Sequence, residues 1–308
     1  MPTREKIMVL MDTSDADKTL LKYLQKIATS SETKEIHLFN SISEMRIPEE
    51  VLKDFPEIKE RSIEDRKNQI WTLVREELSE AIVNACHVHV KEGAPSKAIL
   101  KFVEKNNIDL IMMGRHKHFI GGGILSNRLA RRAACSLFII PEQAELSMNM
   151  LHVPCDFSPH SKIAMEEAIK VARKYPESNV KIVCQNVFTV PGGYHYSGKT
   201  YDEFAEVMRN NAQKDFERFM ADIDHEGINI EVVYSLDTND NPVTDIMDFA
   251  REHNPSAIFI GIKGRTATTA LFIGSRAEQL IQYNSDIPMM VVRPKGRNAG
   301  IMDFIKEL

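Results

Sequence analysis

The sequence predicts an α/β protein with two similar doubly wound domains, each a five-stranded parallel sheet flanked by helices. Three observations predict this class. The chain has 308 residues, which is room for two domains at about 150 residues each. Short, continuously apolar runs alternate with amphipathic helical patterns, as is typical of βαβ units whose sheet is covered on both faces. The same succession of segments also occurs twice.

The predicted strands and helices follow in the same order in both halves. Residues 1–141 begin with a strand that runs to Asp12, and helical patterns separate the later strands. The charged segment 58–84 is predicted as one amphipathic helix, and 200–226 is its counterpart in residues 149–295. The strands are predicted near 6–12, 35–40, 87–91, 109–113 and 136–140, and near 150–156, 180–187, 228–234, 256–261 and 287–293.

Matching residues indicate that one domain has been duplicated. Asp156 follows Asp12 by 144 residues, and a serine stands two positions after each aspartate. Gly114 and Gly261, which follow the fourth apolar run of each half, are 147 residues apart. A nearly constant offset over such a length is the sign of a repeat. The mostly polar segment 141–148 connects the two copies.

Composition excludes several classes of protein. Hydrophobic residues make up 43% and charged residues 27%, a balance that excludes disordered, collagen-like and disulfide-scaffold proteins. The net charge of −5 provides no global attraction to nucleic acid or anionic lipid, so we expect neither as a main partner. No apolar run approaches the roughly 18 residues that span a bilayer. The cysteines form no CxxC pair and lie in or beside apolar runs, which favours a reducing, cytoplasmic location: Cys86, Cys135, Cys155 and Cys184.

A glycine pattern follows the fourth predicted strand of the second half. It reads Gly261-x2-Gly264-x9-Gly274-Ser275, which is neither a Walker A loop nor the dinucleotide-binding G-x-G-x-x-G pattern. Glycine lets the backbone approach a ligand closely. Gly274 and Ser275 open a predicted helix, and the N–H groups at a helix N-terminus suit a phosphate. The pattern therefore predicts a phosphate site, and the alternative is a glycine-rich turn without a ligand.

These features resemble the universal stress protein family. The first strand that ends in aspartate, the Gly-x2-Gly-x9-Gly-Ser loop and the apolar closing strand carry the resemblance, which covers both halves. The duplication is similar to that of the family's tandem members. The resemblance implies an adenine-nucleotide α-hydrolase-like fold and a stress-response regulator that binds ATP, with or without magnesium. Any ATP hydrolysis is expected to be slow, because the loop supplies no clear general base.

The resemblance also implies which residues contact the nucleotide. The first-strand aspartate of ATP-binding members meets the adenosine moiety, a residue at the end of the second strand meets adenine through its backbone, and the glycine loop meets ribose and phosphate. We assign no catalytic residue. The implied binding residues are Pro154, Asp156, Val187, Ile260, Gly261, Lys263, Gly264, Gly274, Ser275 and Arg276.

The first half departs from the family pattern. Lys117 replaces the second glycine, and Ile124 stands where the second half has Ser275. The loop is also four residues shorter than its counterpart. We therefore expect weak or no ATP binding in the first half. The alternative is that its basic residues bind another anion: Arg115, His116, Lys117 and His118.

Two further functional hypotheses compete with ATP binding. One is an interaction module, in which nucleotide binding is weak or incidental. The other is an adenine-nucleotide α-hydrolase, but such enzymes carry a Ser-Gly-Gly-x-Asp-Ser loop after strand one. The corresponding residues here read Asp-Thr-Ser-Asp at 12–15 and Asp-Phe-Ser-Pro at 156–159, which disfavours the enzyme.

The sequence also bears on metal binding and on self-association. His87 and His89 lie two apart on a predicted strand and so face the same side, but no third ligand is evident, and we expect no metal site. The resemblance implies that the closing strands 136–140 and 287–293 pair subunits or domains. We therefore expect the two halves to pack against each other around a pseudo-twofold axis, and we expect self-association, as a dimer, through these strands.

Overall fold

A computed structural model describes residues 5–31, 33–116, 124–262 and 273–294. The chain divides into two compact units between Ala144 and Glu145. Each unit alternates parallel strands with helices, so the predicted fold class is confirmed. The predicted strand positions agree with the structure to within two residues at either end.

The first unit has a parallel sheet in the order β3-β2-β1-β4-β5. The switch in strand order therefore falls between β1 and β4. Its elements are β1 (Lys6–Leu10), α1 (Ala16–Thr29), β2 (Glu35–Ile42), α2 (Glu49–Asp54), α3 (Ile58–Glu77), α4 (Glu80–Val83), β3 (Cys86–Glu92), α5 (Pro95–Asn106), β4 (Leu110–Arg115), α6 (Ile124–Arg132) and β5 (Ser136–Pro141).

The second unit repeats this topology in the order β8-β7-β6-β9-β10, again with parallel neighbours. Its switch point lies between β6 and β9. Its elements are β6 (Met150–Pro154), α7 (Pro159–Arg173), β7 (Lys181–Phe188), α8 (Tyr201–Met220), β8 (Ile230–Leu236), α9 (Pro242–His253), β9 (Ala257–Gly261), α10 (Ser275–Tyr283) and β10 (Met289–Val292); 3-10 turns span Pro176–Ser178 and Tyr194–Ser197.

The prediction of one helix over 58–84 was wrong. The helix ends at Glu77, Leu78 is extended with φ −113° and ψ 148°, and a short helix restarts after Ser79. Gln25 of α1 holds the break, because its side-chain oxygen accepts the Ser79 N–H at 2.8 Å. The break also buries Leu78, which is 7% exposed. Tertiary contacts thus interrupt a segment whose own sequence favours a continuous helix.

The core of each unit lies along its central strands. Ile7, Met8 and Val9 of β1 are fully buried, as are Val153 of β6 and Ile258 of β9. Such continuous burial is expected of parallel strands with helices on both faces. Ligands of open α/β sheets bind beyond the carboxyl ends of the strands at the switch point. Candidate ligand-binding residues therefore follow β1 and β4 in the first unit, and β6 and β9 in the second.

Among the described residues, no helix combines the length and apolar character that crossing a membrane requires. All four cysteines are reduced and buried, as expected from their apolar surroundings.

Candidate functional site

The two units build the same turn after their first strands. Asp12 Oδ1 accepts a hydrogen bond from the Ser14 N–H at 3.0 Å, and Asp156 Oδ1 accepts one from the Ser158 N–H at 3.1 Å. The residue between them is left-handed in both cases, with φ 64° at Thr13 and 60° at residue 157. Non-glycine residues rarely adopt this conformation. The duplication therefore extends to the backbone geometry of the turn that presents each aspartate.

A buried asparagine at the end of the second strand holds each turn in place. Asn40 Nδ2 donates to the Met11 carbonyl at 2.7 Å, and Asn186 Nδ2 donates to the Cys155 carbonyl at 2.8 Å. The two asparagines are 4% and 7% exposed. Sequence reasoning did not assign them this role, although their matching positions in the repeat were a usable signal. They orient the aspartates and fix the edge of the sheet.

The first difference between the units lies at the start of the following helix. Ser161 donates its hydroxyl to Asp156 Oδ1 at 2.6 Å. The equivalent residue 144 positions earlier is Asp17, whose carboxylate accepts the N–H of Thr13 at 2.8 Å. Burial raises the pKa of Asp17 to about 6, and the negative charge of Asp12 adds to the effect. The first unit thus places a second carboxylate where the second unit has a hydroxyl.

The second difference is an imidazole bridge in the first unit. His116 Nε2 lies 2.7 Å from Asp12 Oδ2, and His116 Nδ1 lies 3.2 Å from Glu142 Oε2. The hydrogen bond with Asp12 is the main reason that the pKa of His116 is raised. Burial raises the pKa of Asp12, but hydrogen bonds from Ser14 and His116 outweigh it and leave this pKa lowered.

This bridge changes the interpretation of the basic loop residues in the first unit. His116 contacts two carboxylates of its own unit, Asp12 and Glu142. Lys117 and His118 lie outside the described residues, as does Lys263, the counterpart of His116 in the repeat.

The third difference concerns the residue in the left-handed position. Thr13 Oγ1 accepts a hydrogen bond from Arg66 of α3. Phe157 instead packs its ring against Phe216 and Phe219 of α8, with centroids 6.3 and 5.5 Å away. The turn is therefore held by a charged group in the first unit and by aromatic packing in the second.

A cavity of about 760 Å³ lies in the first unit, between the end of β2 and helices α2 and α3. It is apart from the predicted binding residues, all of which belong to the second unit. Arg66 connects the cavity wall with the turn at Thr13. The cavity has mixed charge, since it is lined by Arg61, Arg66 and three acidic side chains: Asp54, Glu57 and Asp65.

In the second unit, α10 begins next to the end of β9. Gly274 donates its N–H to the Ile262 carbonyl at 2.8 Å and accepts from the Glu278 N–H at 3.0 Å. Ser275 and Arg276 in the first turn are exposed. An α-helix leaves its first N–H groups without intrahelical partners, and the helix dipole makes this end positive. This terminus can accept an anion, and Arg276 adds a positive charge beside it.

Gly261 has a structural reason to be glycine. A Cβ at this position would come within 2.5 Å of the His160 carbonyl oxygen in α7. The lack of a side chain therefore allows α7 to approach β9 closely, whether or not a ligand is present. At the equivalent Gly114, a Cβ would meet only the Ala16 Cβ, at an ordinary 3.6 Å.

The structure places eight of the ten predicted residues. Pro154 ends β6 and Asp156 follows it, and both are half-buried; Val187 lies on β7, the neighbouring strand, and is also half-buried. Lys263 and Gly264 lie outside the described residues. The remaining five predicted residues lie at the end of β9 and the start of α10: Ile260, Gly261, Gly274, Ser275 and Arg276.

Among the residues that the structure describes, no group of three or more His, Cys, Asp and Glu side chains is arranged to hold a metal ion.

Comparison of the sequence with known families decides the assignment. The profile of the Universal stress protein family matches residues 3–141 and again 149–293. The chain belongs to the universal stress protein family. It is a tandem member, since each unit carries one copy of the domain. No curated protein matches the sequence significantly.

Solved structures of universal stress proteins share this fold over nearly the whole tandem chain. One from Archaeoglobus fulgidus DSM 4304 has 19% sequence identity and a TM-score of 0.61, and the match covers 96% of this chain and 98% of that one. One from Pseudomonas aeruginosa UCBPP-PA14 has 14% identity and a TM-score of 0.61, with 94% and 93% covered. At these identities the likeness shows the fold alone.

Proposed function

We propose that this tandem universal stress protein is a stress-response regulator that binds ATP in its second unit. The observation that carries the proposal is the exposed start of α10 at the end of β9, the strand that pairs with β6 just before Asp156. A polyphosphate needs positive groups, and the helix N-terminus with Arg276 supplies them. The adenosine moiety needs polar groups at the adjacent strand ends, and Asp156 with the backbone at Val187 supplies those.

The local polar partners of Asp156 support this proposal. Asp156 Oδ1 accepts hydrogen bonds from the Ser161 hydroxyl and the Ser158 N–H, which are both neutral groups. These bonds fix the carboxylate without adding negative charge to the site. A hydrogen bond from a ribose hydroxyl to a charged carboxylate contributes about 1.5–3 kcal/mol. The turn is therefore suited to a nucleoside, with the phosphates directed toward α10.

We propose that the first unit holds no nucleotide. Asp17 adds a buried carboxylate beside Asp12, and Glu142 adds another on the far side of His116. The negative charge of these carboxylates repels a polyphosphate at this edge of the sheet. A nucleoside would also have to displace His116 from Asp12. The first unit is then a structural or regulatory partner of the second.

Titration of the full chain with ATP tests the proposal. Isothermal titration, with and without magnesium, is expected to give one site per chain for the wild type. Gly274→Val is expected to abolish it, because the new side chain blocks close approach to the start of α10. Gly274 has φ −61° and ψ 143°, a conformation that valine adopts readily. Gly192→Val is the matched control, since a Cβ at this exposed glycine meets no atom within 4 Å.

Two outcomes would contradict the phosphate site. One is no heat of binding from the folded wild type. The other is equal affinity in the wild type and Gly274→Val. An interaction module in which nucleotide is incidental remains the alternative, and it is favoured if the wild type binds no ATP.

The role proposed for ATP is to stabilise one conformation or assembly rather than to undergo rapid turnover. We propose a cytoplasmic location, in keeping with four reduced cysteines. We also propose self-association through the closing strands β5 and β10. Native mass spectrometry tests it: a dimer is expected, and a monomer at all concentrations would contradict it.

A further inference from the structure

Three histidines meet on one face of the first unit's sheet, away from the switch point. β2 and β3 are parallel neighbours whose register pairs His37 with His87 and Phe39 with His89. Directly paired residues share a face, and so do residues two apart on one strand. The rings of His87 and His89 are 5.7 and 5.3 Å from the ring of His37, between centroids. We call these three residues the histidine cluster.

Two nitrogen atoms of the histidine cluster face each other. His37 Nδ1 lies 3.2 Å from His89 Nε2. Two nitrogens at this distance cannot both carry a proton, so at least one of them directs a lone pair into the space between the rings. Two imidazole nitrogens bound tetrahedrally to one zinc ion, with bonds of about 2.0–2.1 Å, lie roughly 3.3 Å apart. The observed spacing is that of an N–H···N hydrogen bond, and it is also close to that of two ligands of one ion.

The other nitrogen of His37 faces a carboxylate. His37 Nε2 lies 3.3 Å from Glu35 Oε2, and Lys6 Nζ lies 3.1 Å from the same oxygen. Metal-binding histidines usually donate their second ring N–H to a carboxylate, which fixes the tautomer and orients the ring. Glu35 lies within ion-pair distance of His37 Nε2, but the two groups are not aligned for a hydrogen bond. A proton on Nε2 leaves the lone pair on Nδ1, the nitrogen that faces His89.

We propose that the histidine cluster binds a divalent first-row transition ion of the zinc type. In the described structure the three side chains do not yet surround one point, so His87 has to turn inward as the third ligand. His87 is exposed, whereas His37 is buried, so the ion can enter from the side of His87. The Phe102 ring covers the other side, 4.7 Å from His89 and 5.3 Å from His37.

This proposal departs from the expectation from the sequence that His87 and His89 bind no metal. The missing third ligand was His37, which lies 50 residues earlier in the chain. Imidazole ligands suit zinc, copper and nickel, and solvent can supply the fourth ligand. The site is independent of nucleotide binding, because its residues lie in the first unit and outside the predicted ATP site.

The test is calorimetric titration of the full, chelator-treated chain with Zn²⁺. The wild type is expected to bind one ion, and His87→Ala and His89→Phe are each expected to lower the affinity about tenfold or more. Phenylalanine preserves the packing of residue 89 against Phe102. His195→Ala, at an exposed histidine of the second unit, is the matched control and is expected to bind as the wild type does.

Two results would overturn the proposal. One is a wild type that takes up no Zn²⁺, which would mean that His37 and His89 share only a hydrogen bond. The other is uptake that persists unchanged in His87→Ala, which would place the ion elsewhere. His87 is exposed, so this variant decides the question even if His89→Phe fails to fold.

Discussion

His116 Nε2 lies 2.7 Å from Asp12 Oδ2, so the first unit occupies the carboxylate whose counterpart, Asp156, we propose to contact the nucleoside. The same imidazole reaches Glu142 through Nδ1. The three groups connect the ends of β1, β4 and β5. The two units thus share the same fold and the same turn, but in the first unit a histidine side chain of the same unit contacts the aspartate.

The bridge predicts how His116 titrates. Its pKa is raised, chiefly by the hydrogen bond with Asp12, so Asp12→Asn is expected to lower it. Asp15→Asn, at an exposed aspartate three residues away, is the control and is expected to change it less. Imidazole NMR titration measures both. An unchanged His116 pKa in Asp12→Asn would show that the contact is not formed in solution.

The same bridge predicts a dependence of stability on pH. A histidine whose pKa is raised in the folded state stabilises it fully below the unfolded pKa, near 6.5, and this contribution is lost as the pH rises through the folded pKa. Replacing His116 with alanine is therefore expected to reduce first-unit stability more at pH 5.5 than at pH 9. The measurement is urea unfolding followed by Trp71 fluorescence, because Trp71 is the sole tryptophan and lies in α3.

Asp17 predicts a trend in the same direction at lower pH, because its ionisation also destabilises the folded state as the pH rises. Its pKa is raised from 3.8 to about 6 by burial and by Asp12, so its ionisation costs the folded state roughly 3 kcal/mol above pH 7. Asp17→Asn keeps an acceptor for the Thr13 N–H without the charge. The variant is expected to gain stability relative to wild type as the pH rises from 4 to 7, again by Trp71 fluorescence. A difference that stays constant across this range would refute the assignment, and Asp15→Asn is the matched control.

Replacing Ser161, the counterpart of Asp17 in the second unit, tests whether charge at this position separates the two units. Ser161→Asp introduces beside Asp156 the carboxylate that Asp17 provides beside Asp12. It is expected to weaken ATP binding about tenfold or more, because the added charge repels phosphate and competes for the turn. Ser161→Ala, which removes the hydroxyl without adding charge, is the control and is expected to weaken binding less. Equal effects of the two variants would mean that charge is not what separates the units.

Two equivalent glycines predict different responses to alanine. Gly261→Ala places a Cβ 2.5 Å from the His160 carbonyl oxygen, whereas Gly114→Ala makes only an ordinary contact. Overpacking of this kind costs about 1–3 kcal/mol. Thermal unfolding followed by circular dichroism is expected to show a clear loss of stability for Gly261→Ala and little change in stability for Gly114→Ala. The reverse order would contradict the close approach of α7 to β9.

The sequence was sufficient for the fold because each strand is an uninterrupted apolar run and the order of elements repeats. The turns at Asp12 and Asp156 could be placed for the same reason, since both follow a recognisable strand. The break at Leu78 could not be predicted, because Gln25 of a different helix holds it. Local propensity does not encode such a contact.

The parts of the site that sequence reasoning missed all depend on long-range neighbours. His116 meets Asp12 and Glu142 only after β1, β4 and β5 are aligned. The role of Asp17 depends on its burial. His37 contacts His89 because the register of β2 and β3 brings the two residues together. Gly261 matched the motif, yet its immediate role is to fit against α7. A sequence motif locates the residues of a site, but the charges and side chains that surround them are known only from the folded structure.

The central claim is that the second unit, and not the first, holds the nucleotide. Equilibrium dialysis of the full chain with labelled ATP, using the matched variants Asp12→Ala and Asp156→Ala, tests it most directly. We predict one ATP per chain, retained in Asp12→Ala and weakened about tenfold or more in Asp156→Ala. Two ATP per chain, or binding lost in Asp12→Ala but kept in Asp156→Ala, would contradict the account.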